Sequence, residues 1–194
     1  MAYDLAIVGG GPAGASAATF AGRAGLRTVV LDADKGMTRR AMLYNHLGFP
    51  DGITGPELVD LGRAQAQKSG AEWVDVAVAS VVRTDEGFNL DTEDGRSFEA
   101  TEVLLAVGVN PSLATASGIE TTPGTEPRIA SVIAVDGQGR TSVPGIWAAG
   151  TAGGVSVHTI ITAGDGARVA LNIISAREGK RHVDHDILPV RTDG

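Results

Sequence analysis

Apolar residues in this chain fall into short runs that glycine interrupts. Leu5-Ala6-Ile7-Val8 is the first, partly β-branched and without a polar face, the pattern of a strand covered on both sides. Residues 13–23 follow as a helix of small side chains, and Thr28-Val29-Val30-Leu31 as a second buried strand ending in Asp32. Residues 43–73 are punctuated by proline and glycine before settling into a helix. Pro56 suits its start, and Leu58, Leu61 and Ala64 fall on one face. Beyond it the runs shorten to 74–82, 87–90 and 97–100, set around the hairpin-turn residues Glu93-Asp94-Gly95. A small antiparallel meander is predicted there. Residues 102–108 read as a third buried strand for a parallel sheet.

The break after the first strand has a chemical meaning. Gly9, Gly11 and Gly14 fit G-x-G-x-x-G, in DLAIVGGGPAGASAA. Gly9 permits a tight turn, Gly11 lets backbone approach a pyrophosphate, and Gly14 lets helix and strand pack closely. The helix start offers amide donors to the anion. Asp32, at the end of the next strand, is placed to accept both hydroxyls of an adenosine ribose. The glycines alone are a weak signal, but strand, glycines, helix, strand and terminal acid in register within about 30 residues are a strong one. A dinucleotide is expected; the fingerprint leaves NAD and FAD both open.

Composition narrows the setting. At 194 residues, 43% hydrophobic and 20% charged, the chain suits one domain with a substantial core. The net charge of −7 and the absence of a basic stripe argue against a nucleic-acid surface; Arg39-Arg40 and Lys180-Arg181 are the only adjacent basic pairs. There is no cysteine, so this chain supplies no disulfide, thiolate nucleophile or thiolate metal ligand. No run approaches the roughly 20 apolar residues that span a bilayer, and the N-terminal run lacks a signal peptide's basic flank, so no membrane is expected and a cytoplasmic location is.

The second half carries a family resemblance. RTSVPGIWAAGTAGG (140–154), followed by VHTIITAGDGARVALNII (157–174), resembles the C-terminal flavin motif of the thioredoxin reductase-like family of FAD-dependent pyridine nucleotide-disulfide oxidoreductases. The family pattern is T-S-V-P-G-h-F-A-A-G-D and then a helix. The N-terminal fingerprint, the segment N-x-x-G-F-P-x-G-I-x-G-P-E-L and the LLAVG strand belong to the same resemblance, which therefore covers almost the whole chain. It implies an α/β fold, the FAD-binding Rossmann-like kind with three layers: a central parallel sheet, helices on one face and a small antiparallel β-meander on the other.

The resemblance also implies that the dinucleotide is FAD. Gly9, Gly11, Pro12, Ala13 and Gly14 would then hold its pyrophosphate and Asp32 its adenosine ribose. Asn45 matches the family's asparagine near the flavin, and Val78 falls where backbone meets the adenine. Ala106 and Gly108 match the ATG-like segment, with Val107 in place of threonine. Gly150 and Thr151 match the Gly-Asp pair at the ribityl chain, and His158, Thr159 and Ile160 sit where the helix start meets the flavin pyrimidine. There the positive helix end would stabilise charge on the reduced ring. Separately from the resemblance, Arg39 and Arg40 are expected to reach the cofactor, the alternative being that both are simply solvated.

Departures from the family shape the expected mechanism. Without a CxxC motif the chain cannot reduce a disulfide of its own. Only residues 109–128 stand where the family inserts its pyridine-nucleotide domain, so halves 1–108 and 129–194 are expected to close into a single FAD-binding domain. Thr151 replaces a ribityl-binding aspartate, a change worth about 1–2 kcal/mol. His158 is the one candidate for a catalytic side chain, supplying a proton or compensating charge at N1/O2; alternatively only its backbone touches the cofactor. Glu57, Asp60 and Glu72 read as solvated charges, Trp147 and Phe20 as core. The His182-Val-Asp-His185-Asp stretch reads as a solvated tail, with no metal site.

An FAD-dependent oxidoreductase fed by an external electron donor (a reductase, a ferredoxin or NAD(P)H) follows. The alternatives are a non-catalytic flavin-binding module or one subunit of a split flavoenzyme, and a structural chain that has lost its cofactor through Thr151. A homodimer is implied by the resemblance only.

Overall fold

The computed structural model describes residues 2–188. Strand β1 (Tyr3–Val8) leads through the glycine turn into helix α1 (Pro12–Arg23), which returns to β2 (Thr28–Asp32). A two-stranded ribbon, β3 (Met42–Leu43) with β4 (Ile53–Thr54), precedes α2 (Gly55–Lys68) and β5 (Glu72–Asp75). Then come β6 (Val78–Arg83), β7 (Phe88–Thr92) and β8 (Ser97–Leu105), the short α3 (Ser112–Ala116) and a ribbon of β9 (Thr121–Pro123) and β10 (Ser131–Ile133). β11 (Ile146–Ala148), a 3₁₀ turn at Gly150–Gly153 and α4 (Thr159–Glu178) follow.

One seven-stranded sheet runs β5-β2-β1-β8-β7-β6, with β11 also paired to β8. The α/β expectation of a parallel sheet, helices on one face and a meander on the other describes this architecture. Two details differ. Residues 97–100 and 102–108, read as separate strands, form the single β8, which pairs antiparallel with β7 near its start and parallel with β1 and β11 near its end. Residues 74–82 divide instead: Glu72–Asp75 joins the parallel sheet beside β2, and only β6 enters the meander. A strand that changes partner midway has no single burial pattern to read.

Helices cover one face of the sheet. There Leu5, Ile7, Val30, Leu104 and Ile173 are fully buried with the alanines of α1. The meander covers the other face over Val29, Leu90, Val103, Leu105 and Ile146. Each such aliphatic side chain contributes about 1.5–3 kcal/mol. Thr54 and Glu57 close a capping box at the start of α2; Glu57 is exposed, as expected of a solvated charge, and its carboxyl is held below the ordinary range by Thr54. The buried stripe of α2 is Gly55, Val59 and Ala66, with Leu61 turned outward. Gly62 approaches so near α1 that a methyl group there would stand 3.0 Å from the Ala15 Cβ; close helix approach, not apolar bulk, selects that face.

Residues 109–128 are not plain loop: they hold α3, which packs on β6, and the first strand of the β9–β10 ribbon. The polar stretch after α4 is also held, with Arg23 bound to both Asp184 and Asp186 and His182 bonded to Glu178. Asp60 and Glu72 are exposed, as expected of solvated charges; Asp60 also pairs with Arg39, and Glu72 accepts the Tyr3 hydroxyl. Trp147 is core as expected, its indole N–H donating to Glu102; Phe20 is partly buried against the helix-side core.

Candidate functional site

The carboxyl ends of the parallel strands lie in one row: Val8 beside Leu31 and Leu105, Leu31 beside Val74, and Leu105 beside Ala148. In sheets of this kind ligands occupy the crevice outside that edge. The connections leaving it carry Gly9, Asp32, Ala106, Gly108, Gly150 and Thr151.

Backbone contact sets the shape of the glycine turn. Gly9 has φ +101°, and a Cβ on it would stand 2.4 Å from the Ala106 carbonyl oxygen; one on Gly14 would stand 1.9 Å from the Gly9 carbonyl. Gly11 differs, since nothing lies within 4 Å of its missing side chain. It is the N-cap of α1 and gives no side-chain cap, Pro12 follows, and Ala15 donates to the Gly11 carbonyl at 2.9 Å. The first-turn amides of Ala13 and Gly14 therefore have no intrahelical acceptor and meet the open side of the turn. Behind it, a Cβ on Gly10 would be 2.1 Å from Trp73 Cζ2 and 2.6 Å from Asp32 Oδ2. The Trp73 ring fills that space, with the Arg63 guanidinium 5.4 Å from its centroid. Among the described residues its Nε1 is the one buried side-chain polar atom without a partner.

Asp32 ends β2 with its backbone carbonyl accepting Val76 N–H, and no donor among the described residues engages its carboxylate. Val78 is half-buried at the start of β6, next to a register irregularity. Arg39 is taken up by Asp34 and Asp60, while Arg40 is exposed without an ion pair among the described residues. Asn45 is exposed at the tip of the 41–52 segment, and Gly108 has φ +68° with open space around it.

The second half meets the first at Ala13. A Cβ on Gly166 would stand 2.0 Å from the Ala13 carbonyl oxygen, and one on Gly150 would stand 2.8 Å from the Ala13 Cβ. Gly164-Asp165-Gly166 thus lies within α4 and serves helix packing. Asp165, 8% exposed, accepts the Gly150 N–H at 2.7 Å and both Nε and Nη2 of Arg168 at 2.9 and 2.8 Å. Thr151 is buried beside it, at 7% exposure. α4 starts after His158 with no side-chain cap; Ile161 and Thr162 donate to the His158 carbonyl, leaving the amides of Thr159 and Ile160 without intrahelical acceptors. His158 is exposed, its Nδ1 2.8 Å from Ser156 Oγ, which donates to Glu126 at 3.3 Å.

Two residues at this end were not singled out from the sequence. Asp165 sits in a motif legible only as Gly-x-Gly. His46 is half-buried and shares a hydrogen bond of 2.9 Å with Thr159 Oγ1; burial holds its pKa below the ordinary histidine value. No periodicity marks either of them.

Comparison with known proteins decides the family. The model for pyridine nucleotide-disulphide oxidoreductases matches residues 53–167, and one for an FAD binding domain matches residues 2–45. The chain belongs to the pyridine nucleotide-disulphide oxidoreductase family. Its cofactor is FAD. A thioredoxin reductase of Aquifex aeolicus is 36% identical over 109 residues, 55% of this chain and 34% of that protein. The bifunctional thioredoxin reductase/thioredoxin of Mycobacterium leprae is 35% identical over 111 residues, 56% of this chain and 24% of that one. The matched stretch thus spans about a third or less of these curated relatives. In fold, a thioredoxin reductase from Gloeobacter violaceus superposes with a TM-score of 0.81 at 18% identity, covering 95% of this chain and 98% of that one. A ferredoxin-flavin thioredoxin reductase from Clostridium acetobutylicum gives 0.73 at 18% identity, covering 92% and 98%.

The residues present suit FAD on structural grounds. Two helix starts offer uncommitted amides, one unengaged carboxylate ends β2, and glycines keep the groove between them clear. That donor set matches a diphosphate, a redox ring that gains negative charge, and a ribose diol.

Proposed function

We propose that this chain is an FAD-dependent oxidoreductase unit that receives electrons from an external donor and carries out no disulfide chemistry of its own. The carrying observation is the convergence at Ala13, which brings the free amides of α1 into one groove with the Gly150 loop and α4. FAD, when bound, supplies hydride and one-electron chemistry. In this reading Gly9, Gly11, Pro12, Ala13 and Gly14 bind the diphosphate, Asp32 the adenosine ribose, and Val78 the adenine through its backbone. Arg40, without an ion pair among the described residues, serves the same end. Gly150 and Thr151 hold the ribityl chain, Ala106, Gly108 and Asn45 border the flavin, and Thr159 and Ile160 aim their amides at its pyrimidine edge. The positive end of α4 there favours the reduced ring.

His158 Nδ1 shares a hydrogen bond of 2.8 Å with Ser156 Oγ, which holds the ring at the start of α4. In this reading His158 supplies a proton or compensating charge at the flavin N1/O2, the alternative being that only its backbone meets the cofactor. A cytoplasmic location, a homodimer and donors of the reductase, ferredoxin or NAD(P)H class belong to the same proposal; no described helix is long and apolar enough to cross a membrane. The test is the visible spectrum of the purified chain before and after adding FAD, followed by anaerobic mixing with NADH, NADPH and reduced ferredoxin. Bleaching by one of them is expected. A colourless chain that rejects FAD overturns the cofactor reading, and no bleaching by any donor overturns the oxidoreductase one.

A second reading is favoured by one observation. Tyr44 and Leu47 are 76% and 87% exposed, and Val157 and Ile161 across from them are also exposed, so apolar surface borders the groove at its flavin end. A flavin-binding module or one subunit of a split flavoenzyme would have a partner there. Uniformly slow reduction by all three donors and one co-purifying polypeptide would favour it.

A further inference from the structure

The 41–52 segment that carries Asn45 is anchored at its base by a ribbon and at its tip by a single side chain. The base is the β3–β4 ribbon, in which Met42 faces Thr54 and Leu43 faces Ile53, with Gly55 N–H donating to the Ala41 carbonyl. The tip is folded on itself by Phe49 N–H to the His46 carbonyl and Gly52 N–H to the Phe49 carbonyl. Among the described residues, one hydrogen bond ties residues 44–50 to the fold outside the 41–52 segment: His46 Nδ1 with Thr159 Oγ1, 113 positions apart in sequence. Thr159 is the first residue of α4 and is 6% exposed. The His46 ring lies tilted against Phe49, with centroids 5.8 Å apart. A neutral imidazole suits this place, because the positive end of a helix opposes a cation, and burial favours the neutral form as well.

We propose that His46 is a positioning residue for the flavin: it fastens the Asn45 tip to the first turn of α4, so that side chain and helix amides meet the ring as one preformed unit. This rests on the reading that the ring lies between Asn45 and the start of α4. Without the fastening, the tip is free to leave the groove. The amide set then has to be ordered when the cofactor binds, which weakens binding and shifts the balance between oxidised and reduced ring.

The experiment is a mutant cycle on the full chain with His46→Ala, Thr159→Val and the double variant, alongside the conservative His46→Asn and Thr159→Ser. Fluorescence titration gives the FAD dissociation constant, spectroelectrochemistry the flavin midpoint potential, and thermal melting without FAD the fold control. His46→Ala and Thr159→Val are each expected to weaken FAD about 3–10-fold, the double variant no more than either alone. Both are expected to move the potential to more negative values, and His46→Asn and Thr159→Ser to restore affinity and potential. Wild-type affinity and potential in His46→Ala overturn the proposal, as do effects that add in the double variant. Should His46→Ala not fold, the Thr159→Val and Thr159→Ser pair carries the same test, and equal values for the two overturn it. A wild-type chain that takes up no FAD removes the underlying reading too, a result distinct from a bound flavin indifferent to the fastening.

Discussion

Gly166 and Ala13 lie closer than any side chain on Gly166 would allow, a Cβ there standing 2.0 Å from the Ala13 carbonyl oxygen. Through this contact α4 presses on the start of α1, and the two halves of the chain share one groove. Two residues earlier on α4, a Cβ on Gly164 meets nothing within 4 Å. Gly166→Ala is expected to destabilise by about 1–3 kcal/mol through overpacking against backbone that cannot yield. Gly164→Ala should stabilise by about 0.5–1 kcal/mol through helix propensity. Denaturant unfolding of the two variants checks the pair. Equal effects would show that this contact does not join the halves.

Asp165 joins helix α4 to the loop at the ribityl position. Its carboxylate accepts Gly150 N–H and the Arg168 fork, while Arg168 Nη1 donates to the Gly137 carbonyl. Asp165→Ala leaves the buried Gly150 N–H unpartnered and removes the acceptor of Arg168 Nε and Nη2, while Nη1 keeps the Gly137 carbonyl. The expected loss is about 1–3 kcal/mol, the smaller end reflecting that Arg168 is partly solvated. Asp165→Asn keeps an acceptor for Gly150 and should lose less. FAD affinity should fall in the same order, which a titration of both variants would read.

The elements most legible in the sequence are those whose signal is local. β1, the glycine turn, α1 and β2 occupy the stretches their patterns predict, because one short segment contains the whole physical reason for each. The Glu93-Asp94-Gly95 turn is equally local. β8 is not: its early residues serve the meander and its later ones the parallel sheet, so a polar interruption at Thr101-Glu102 reads as a boundary. Leu61 misleads for the opposite reason, since a leucine on a helix is assigned inward unless the partner helix is known to approach through Gly62 and Ala15. Around the site, the glycines and Asp32 announce themselves by spacing. His46 and Asp165 act on Thr159 and Gly150 through contacts that exist only after folding.

At alkaline pH one group sets a visible edge. Tyr3 is held at about 12, against its ordinary 10.0, by burial and then by its hydrogen bond to Glu72. The folded chain therefore binds this proton more tightly than the unfolded chain. The stabilisation is fully present below pH 10.0 and is lost as pH rises toward about 12. Stability should fall across that window in the wild type and less steeply in Tyr3→Phe, which has no proton to lose. Unfolding midpoints measured across the window would expose a failure as parallel curves.

Gly10 and Gly11 are neighbours with opposite surroundings, and together they separate folding from cofactor binding. A methyl group on Gly10 would run into Trp73 Cζ2 and Asp32, whereas one on Gly11 would point into open space. Gly10→Ala is expected to destabilise the fold by about 1–3 kcal/mol, and Trp73→Phe, which shortens the ring edge, to relieve part of that loss in the double variant. Gly11 has φ −68°, a backbone any residue adopts, so Gly11→Ala should fold with near wild-type stability. Its methyl would nevertheless occupy the space in which the diphosphate approaches the α1 amides. Binding of FAD should fall at least about 10-fold, the scale of losing a charge-assisted hydrogen bond. Melting and FAD titration of Gly11→Ala measure the two quantities independently. A variant that melts normally and still binds FAD as the wild type does would place the diphosphate somewhere other than the first turn of α1.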